Sequence, residues 1–468
     1  MTEFIIKFAP LAERMRAVGM PELAIETLGL YFRRLLAGAT GEVSESEIEP
    51  VSGLADAETL GVEPAEIGRQ ALSQTVLIKL NGGLGTSMGL ERAKSLLVVK
   101  KGLTFLDIIA RQALAAGVPL LLMNSFATRR DSLALLDKYP GLAAFGLPRD
   151  FLQHKIPKIC RKTLRPVNYP EAPELEWCPP GHGDIYPALV TSGVLAALRR
   201  AGYRYAFVSN ADNLGAVLEP AILGHFVSRE VPFMMEVADR TPADRKGGHL
   251  ARRLSDGGLL LREAAQCPAA EQAAFQDIER YRYFNTNSLW LDLLALEEIM
   301  AACDNLLELP LICNRKPVDP CDALSTPVFQ LETAMGAAIE VFAGAQALRV
   351  SRSRFAPVKT TEDLLAVRSD AYRLNDDFTV TLAPGFSRGP QVTLDPDFYR
   401  LLGDFERRFP GAGPSLSACQ SLKVKGDITF TSGITVCGQV AVANRGPEPL
   451  TLPAGLILAA GSGKEFEG

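Results

Sequence analysis

The sequence is poor in the residues that build several common kinds of site. Its 468 residues include four histidines, two tryptophans and eight cysteines, and the cysteines never occur as a CxxC pair. A structural zinc site needs a compact set of such ligands, so we predict none. Scattered cysteines in a long chain are typical of reduced thiols, which predicts a cytoplasmic protein. No run approaches the length of apolar sequence that spans a bilayer, so we expect no membrane association.

The chain also lacks an excess of basic charge. It has 49 Lys and Arg against 54 Asp and Glu, a net charge of −5. Nucleic acids and anionic membranes attract strongly basic surfaces, so neither is expected as a partner. A small anionic ligand remains compatible, because a few local cations suffice to bind it. The first ten residues, MTEFIIKFAP, carry an early acidic residue and only a short apolar run, which is unlike a signal peptide.

Three regions of the chain differ in the spacing of their apolar and polar residues. Residues 1–72 space their apolar positions by three and four, which predicts an N-terminal helical region. Residues 73–384 alternate apolar strands with amphipathic helices, which is typical of a mostly parallel sheet covered on both faces. Within this region we predict helices at 104–117, capped by Thr104 and ended by Gly117, and at 329–342 (FQLETAMGAAIEVF). Residues 385–468 alternate apolar and polar positions between frequent turns, which predicts a β domain with the short rungs of a β-helix.

A glycine-rich loop follows the first predicted strand of the central region, in TVLIKLNGGLGTSMGLERAKS (75–95). Glycines let backbone N–H groups approach an anion closely, because no Cβ intervenes. The spacing matches neither a Walker A loop nor GxGxxG. Ordinary loop geometry explains the glycines equally well, but Lys94 adds a cation that would offset phosphate charge.

Two further loops follow in the central region. CPPGHGDIYPAL (178–189) presents His182 between glycines, where we expect it to contact a ligand, and Asp184, which we expect to cap the next helix. YAFVSNADNLG (205–215) ends a strand with Asp212, a suitable ligand for a divalent metal. The alternative is an Asx-turn, which suits Asn213 better than Asp212.

Two later stretches add charge and side-chain amides. VSRSRFAPVKTTEDLL (350–365) concentrates Arg352, Arg354 and Lys359, which indicates an anion site or a charged surface. RYFNTNSLWLDL (282–293) places Asn285 and Asn287 where they could bind sugar hydroxyls, although a turn explains the pair at least as well. No GxSxG motif or catalytic triad is present. The residues together favour an α/β enzyme that transfers a phosphoryl or nucleotidyl group with a metal.

An ordered set of motifs resembles the eukaryotic-type UDP-glucose pyrophosphorylase (UTP–glucose-1-phosphate uridylyltransferase) family. The motifs are KLNGGLGTSMG…AKS, FLQHKIPKI, PPGHGDIYPAL, NADNLGA, KGGHLARR, FNTNSLW, QLETAMGAAI and RSRFAPVKTTEDLL, and the resemblance runs from about residue 73 to the end. It implies a Rossmann-like, glycosyltransferase-A-like nucleotidyltransferase core, an N-terminal helical region and a C-terminal left-handed β-helix. It also implies that UTP and glucose 1-phosphate give UDP-glucose and pyrophosphate, with Mg²⁺.

The resemblance assigns roles to individual residues. Lys94 and Lys359 would be catalytic, and Asp212 would bind the metal. The implied UTP-binding residues are Leu80, Asn81, Gly82, Gly83, Lys94, Gln153, Gly181, Asn210 and Asp212. The implied sugar-phosphate-binding residues are His182, Asn285, Asn287 and Lys359.

The sequence departs from the family pattern at two positions and leaves alternatives open. Ala93 stands where the family usually has proline, which would loosen the first loop, and Ser288 stands where it usually has asparagine, which puts sugar selectivity in question. The alternative enzyme uses N-acetylhexosamine 1-phosphate or several sugar phosphates. A non-catalytic binding protein would be expected to lose Lys94, Asp212 or Lys359, and all three are present. The protein could be a monomer or a homo-oligomer formed through its C-terminal domain.

Overall fold

The structure is a computed structural model that describes residues 2–386, 388–411, 413–459 and 464–466. Helices lie at the N-terminus and between the strands of the central region, but residues 48–50 and 55–56 of the predicted N-terminal helical region are strands that join the central sheet. The α-helices are α1 (Thr2–Ala17), α2 (Glu22–Leu36), α3 (Val62–Ala71), α4 (Phe105–Ala116), α5 (Arg129–Leu136), α6 (Ile185–Thr191), α7 (Val194–Arg200), α8 (Pro220–Ser228), α9 (Gln272–Phe275), α10 (Leu293–Ala302), α11 (Thr361–Arg368), α12 (Pro396–Tyr399) and α13 (Leu402–Arg408).

The strands are mostly short. They are β1 (Ile48–Pro50), β2 (Ala55–Asp56), β3 (Thr75–Asn81), β4 (Val98–Lys100), β5 (Leu103–Thr104), β6 (Leu120–Asn124), β7 (Asp150–Leu152), β8 (Ile156–Pro157), β9 (Ile159–Cys160), β10 (Trp177–Cys178), β11 (Tyr205–Asn210), β12 (Phe233–Asp239), β13 (His249–Arg253), β14 (Leu259–Arg262), β15 (Tyr283–Asp292), β16 (Ile312–Pro317), β17 (Pro327–Glu332), β18 (Gln346–Arg349), β19 (Tyr372–Leu374), β20 (Val380–Leu382), β21 (Gln391–Thr393), β22 (Ser415–Lys425), β23 (Ile428–Phe430), β24 (Thr435–Asn444), β25 (Leu450–Leu452), β26 (Ile457–Ala459) and β27 (Lys464–Phe466).

A large, mostly parallel sheet forms the centre of the molecule, in the order β2-β18-β12-β15-β11-β3-β6-β7. Within this order strand β15 is the exception, because it runs antiparallel to both β12 and β11. The antiparallel strands β1, β13 and β14 join the same sheet beside it. The chain between β12 and β15 makes the β13–β14 hairpin rather than a long crossover helix, and parallel pairing requires such a crossover. The loops at the carboxyl ends of β3, β6, β7 and β11 gather at one edge, where ligands bind in sheets of this kind.

Both faces of this sheet are buried. Strand β3 is buried along almost its whole length, which explains its continuous apolar run. Helix α4 covers one face, with its N-terminus capped by Thr104 in a capping box with Asp107 and its C-terminus closed by Gly117 at φ +66°. These boundaries confirm the sequence prediction. Helices α6, α7 and α10 pack on the opposite face.

The prediction of a helix at 329–342 is wrong. Residues 327–332 form β17, which pairs with β16 and β9, and a short 3₁₀ helix follows at Met335–Glu340. The apolar positions of this stretch fit a helical period, but Val328 and Leu331 are buried by strand pairing and contacts with distant residues. Tertiary pairing has therefore overridden the local pattern.

The two ends of the chain pack against the central region. Helices α1 and α2 pack their apolar faces on the neighbourhood of β8, β9 and β17, with Met15 and Phe32 fully buried there. Near the C-terminus, β22 pairs in parallel with β21 and β24, β24 pairs in parallel with β26 and β27, and β23 pairs in parallel with β25. The handedness of the predicted β-helix stays a prediction. In the described part of the chain, no helix combines the length and apolar character that crossing a membrane demands.

Candidate active site

The glycine loop folds back onto the side chain of Lys94. Gly85 and Gly89 have φ of +74° and +71°, in the left-handed region that favours glycine. The backbone N–H of Lys94 donates to the carbonyl of Gly83 at 3.2 Å. A Cβ at Gly85 would lie 3.3 Å from Lys94 Cγ. The glycines therefore let the loop close around the lysine stem and hold its ammonium group near the end of β3.

Gln153 brings a second loop to the same place. Its backbone N–H donates to the carbonyl of Asn124, at the end of β6, over 2.7 Å. Its amide nitrogen donates to the carbonyl of Gly181 at 3.3 Å. A Cβ at Gly82 would lie only 2.6 Å from Gln153 Oε1, so the side-chain amide rests directly on that glycine. Three of the predicted UTP-binding positions thus form one surface.

The end of β11 completes this edge. Asn210 lies opposite Leu80 in the parallel register of β11 and β3, and Ala211 N–H donates to Leu80 O at 3.0 Å. Two residues later, Asp212 Oδ2 accepts a hydrogen bond from Lys94 Nζ at 2.6 Å. The two side chains keep 14% and 21% of their surface exposed. The residues predicted to bind phosphate and metal are therefore in direct contact.

The second carboxylate oxygen of Asp212 is available as a ligand for a metal ion. Asp212 Oδ1 is buried and finds no hydrogen-bond partner among the described residues. No group of three or more His, Cys, Asp or Glu side chains gathers around a possible ion in the part of the chain that is described. Mg²⁺ commonly binds one or two carboxylates and completes its shell with phosphates and water. A single carboxylate with an unused oxygen fits that pattern.

Lys359 reaches the same edge from a distant part of the chain. The N–H of the preceding residue, Val358, donates to the backbone carbonyl of Asp212 at 3.1 Å. The Lys359 side chain is exposed and lines a cleft of about 810 Å³. The structure therefore places the two predicted catalytic lysines on loops that meet at Asp212.

The other two cations of the Lys359 motif do not form an anion site. Arg354 is buried and makes two hydrogen bonds to Glu236, at 2.9 and 2.7 Å. Arg352 donates to Asp244 at 2.8 Å. Both guanidinium groups are thus neutralised by carboxylates from the protein, and the hypothesis of an anion site built from all three cations is wrong.

His182 is held as a neutral hydrogen-bond donor. The backbone N–H of Met335 donates to His182 Nδ1 at 2.8 Å. Burial lowers the pKa of His182 to about 4, so the ring is uncharged at neutral pH. Because Nδ1 accepts, the ring proton is on Nε2, which can donate to a ligand.

Asn285 and Asn287 lie at an irregularity in β15. Asn287 has φ +55°, and the pairing with β12 shifts register here. The N–H of Asn287 donates to Asn285 Oδ1, and Asn285 Nδ2 donates to Asn287 Oδ1, both at 2.9 Å. Burial raises the pKa of the neighbouring Glu263, while the charge of Lys359 and a hydrogen bond from Asn285 lower it. The carboxylate of Glu263 therefore lies near the asparagine turn and within electrostatic range of Lys359.

Comparisons with known proteins identify the family of this chain. A family model for UTP–glucose-1-phosphate uridylyltransferase matches residues 28–437. The chain belongs to this family. The UTP–glucose-1-phosphate uridylyltransferase of Solanum tuberosum is 41% identical over 409 residues, which cover 86% of this chain and 83% of the potato protein. The enzyme of the same name from Saccharomyces cerevisiae is 38% identical over 410 residues, covering 86% and 80%.

Solved structures of the family share the whole fold. A UDP-glucose pyrophosphorylase from Leishmania major, solved in open and closed forms, aligns with a TM-score of 0.90 at 42% identity, covering 97% of this chain and 98% of that one. A variant of the Leishmania enzyme in complex with UDP-glucose aligns with a TM-score of 0.89 at 42% identity and the same coverage. A Trypanosoma brucei relative aligns with a TM-score of 0.87 at 40% identity, again with 97% and 98% coverage.

Two family-motif residues have side chains that serve the protein interior. Asn81 is buried, and its amide donates to Asn124 Oδ1 at 2.7 Å and to Ser132 Oγ at 2.8 Å. Only its backbone could face a nucleotide. Asp184 occupies the N-cap position of α6, as predicted, but its side chain makes no capping hydrogen bond. Its carboxylate instead accepts hydrogen bonds from the backbone N–H and the ring Nδ1 of His154, each at 2.7 Å.

The two departures from the family pattern fall at buried positions. Ser288 in β15 is fully buried opposite Glu236 of β12, and its hydroxyl has no hydrogen-bond partner among the described residues. The effect of this departure on sugar selectivity stays a prediction. Ala93 is 3% exposed with φ −52°, within the range that proline adopts. The loop thus keeps a proline-compatible backbone without proline.

The sequence analysis assigned no role to two residues near this site. Glu263 follows β14 outside any motif named above, and it is identified only by a hydrogen bond from Asn285 and by the charge of Lys359, both of which lower the pKa of its carboxyl. Lys79 is the charged residue within the apolar run of β3. It is buried, and its ammonium group donates to Ser209 Oγ at 2.6 Å and to Ala216 O at 2.9 Å. A lysine inside a buried strand was the available signal, because such a charge needs partners.

Proposed function

We propose that this protein is a uridylyltransferase that makes UDP-glucose and pyrophosphate from UTP and glucose 1-phosphate. The observation that carries the proposal is the meeting of Lys94, Asp212 and Lys359 at the carboxyl ends of β3 and β11. The family comparisons support the same activity, because the relatives are named for it. A phosphate oxygen of the sugar phosphate would attack the α-phosphorus of UTP, and the bond to the β-phosphate would break to release pyrophosphate.

Charge neutralisation is the main task of the site in this reaction. Two anions must meet, and the attacking phosphate is already ionised, so no general base is needed. Lys94 would offset the charge of the triphosphate, and Lys359 would stabilise charge at the transferring phosphate. Positioned cations stabilise such transition states more than water does, because they need no reorganisation during the reaction.

The remaining residues would hold the two substrates. Gln153, resting on Gly82, would read the uracil base through its amide. His182 would donate a hydrogen bond from Nε2 to the sugar phosphate without adding charge. The amides of Asn285 and Asn287 and the carboxylate of Glu263 offer donors and acceptors for sugar hydroxyls.

Mg²⁺ is the proposed cofactor. Asp212 would hold it through the carboxylate that already lies beside Lys94, and when bound it would neutralise phosphate charge. We expect a chelator to abolish turnover and added Mg²⁺ to restore it. Asp212→Asn should raise the Mg²⁺ concentration needed for half-maximal rate, and an unchanged requirement would contradict this role.

Pyrophosphate release tests the proposal directly. Turnover with UTP should be fastest with glucose 1-phosphate, compared with N-acetylglucosamine 1-phosphate and galactose 1-phosphate. Similar rates with all three would favour a broad UDP-sugar pyrophosphorylase, and a preference for the acetylated sugar would favour the N-acetylhexosamine enzyme. Absence of turnover with every sugar phosphate would refute an enzymatic role.

Lys359→Ala tests the catalytic assignment. Removing a charge that acts in the transition state should lower kcat by about 100- to 1000-fold while UTP affinity stays within a few-fold. Lys423→Ala, at an exposed position of β22, is the matched control and should retain full activity. Equal losses of kcat and UTP affinity in Lys359→Ala would contradict the assigned role.

We also propose a cytoplasmic location, from the dispersed cysteines, and a left-handed β-helix for the C-terminal domain. The parallel pairing of β22 with β21 and β24 supports rungs of this kind. The protein would be a monomer or would assemble through this domain. Sedimentation of the full chain, beside a chain ending before β21, separates these two cases.

A further inference from the structure

The loops that carry Asp212 and Lys359 form a single unit. Val358 N–H donates to Asp212 O at 3.1 Å, and Asn213 and Pro357 form an antiparallel bridge. These are backbone contacts between segments far apart in sequence. They place the start of the Lys359 segment directly against the carboxylate-bearing loop.

The side chain of Asn213 joins the two loops at three points. Its Nδ2 donates to Arg354 O at 3.0 Å. Its Oδ1 accepts from Ala356 N–H at 3.0 Å and from Gly215 N–H at 3.1 Å. With 2% of its surface exposed, Asn213 is shielded from water that could replace these bonds. Two of the three bonds cross to the Lys359 loop, and the third closes a local turn.

The surroundings leave this contact little freedom. A Cβ at Gly215 would lie 2.5 Å from Ser353 O, so the two backbones touch there. The Arg354 side chain is anchored on Glu236, which is fully buried. The Lys359 loop is therefore fixed at its base by the ion pair and at its side by Asn213.

We propose that Asn213 is a positioning residue for the uridylyl transfer: its carboxamide fixes the Lys359 loop relative to Asp212, so that cation and carboxylate act on the same phosphate. The inference rests on the proposed function and adds a residue that touches neither substrate. A misplacement of about 1 Å in a catalytic group can cost on the order of 100-fold in rate. Loss of the tether should therefore affect turnover more than substrate binding.

Asn213→Ser is the most informative variant. A serine hydroxyl can still accept from Gly215 N–H in the local turn, as serine does in such turns. It is too short to reach Arg354 O and Ala356 N–H, so the cross-loop bonds are lost while the turn is kept. Asn213→Ala, which removes all three bonds, is the second and more severe variant.

Asn444 provides a closely matched control in the C-terminal domain. Its Nδ2 donates to two carbonyls, those of Asp427 at 2.9 Å and Glu448 at 2.8 Å. Its Oδ1 accepts from Gly446 N–H at 3.1 Å, two residues later, as in the turn of Asn213. It is 8% exposed. Asn444→Ser therefore removes the same kind of bonds away from the candidate site.

We expect both serine variants to lower Tm, and only Asn213→Ser to lower kcat, by about 10- to 100-fold. UTP binding measured by calorimetry should stay within about twofold of the original protein, since UTP contacts neither lost bond. Wild-type kcat in Asn213→Ser, or equal losses of kcat and UTP affinity, would overturn the inference. If Asn213→Ala does not fold, the kcat and UTP affinity of Asn213→Ser alone test the inference. An unmodified protein that releases no pyrophosphate would instead refute the proposed function.

Discussion

Gly82→Ala should weaken UTP binding through Gln153 rather than through loss of stability. An added Cβ would lie 2.6 Å from Gln153 Oε1, which is closer than a Cβ and an oxygen can approach. Gly82 does not adopt positive φ, so alanine imposes no backbone strain there. The clash is with the end of a flexible side chain. Moving that amide off its rotamer costs only about 0.5–1.5 kcal/mol.

The effect on binding follows from the hydrogen bonds that the displaced amide would lose. A neutral hydrogen bond contributes about 0.5–1.5 kcal/mol, so two bonds to uracil amount to about 1–3 kcal/mol. Since 1.4 kcal/mol corresponds to a factor of ten, UTP affinity should fall by about 5- to 150-fold. Calorimetric titration with UTP measures this, and urea denaturation should show a nearly unchanged free energy of unfolding.

A double-mutant cycle tests the stated cause. If Gly82→Ala acts by displacing Gln153, it should weaken UTP binding no further in a Gln153→Ala background. Additive losses would mean that the methyl group blocks the nucleotide directly, and unchanged affinity in Gly82→Ala would refute the role of Gln153 in base recognition.

Three further predictions concern stability. Arg354→Met should lower the free energy of unfolding by about 3–5 kcal/mol, because it leaves the fully buried Glu236 carboxyl group without its ion-pair partner; a loss below about 1 kcal/mol in urea denaturation would contradict this. The pKa of His182 is lowered to about 4, so the unfolded chain takes up the proton first as the pH falls, and stability should drop between pH 6.5 and 4 by up to about 3 kcal/mol. The stability of His182→Gln should fall less over this pH range, and a pH profile identical to that of the original protein would contradict the assignment to His182. Ala93→Pro should stabilise the protein by about 0.4–1 kcal/mol, because φ is already −52°; a lower Tm would show that the ring clashes.

The sequence predicted correctly those elements whose form depends on neighbouring residues, such as helix caps and turns. Helix α4 begins and ends at its predicted caps because capping depends on residues three or four positions apart. The turn expected at Asn213 is present for the same reason, since the N–H of Gly215 donates to the side-chain Oδ1 of Asn213. The strands that lead to the candidate site were also predictable, because buried parallel strands are nearly continuous apolar runs.

Distant partners determined the features that the sequence did not reveal. Residues 327–332 become a strand because β16 and β9 pair with them, although their apolar spacing also fits a helix. The side chain of Asp184, although at the N-cap position of α6, accepts hydrogen bonds from His154 instead, which no local pattern indicates. Glu263 lies in no motif, and only the fold brings its carboxylate to Asn285.

The three cations of the Lys359 motif show why composition alone does not locate an anion site. Arg352, Arg354 and Lys359 are equivalent in sequence as positive charges within eight residues. The fold supplies a carboxylate to each arginine, Asp244 and Glu236, and leaves the lysine side chain exposed in a cleft. Burial makes an unpaired arginine costly, so the paired arginines hold the loop together and the exposed lysine remains available for substrate. The same motif thus contains the paired arginines that hold the loop and the lysine that the loop positions. Asn213 joins this loop to the loop that carries Asp212.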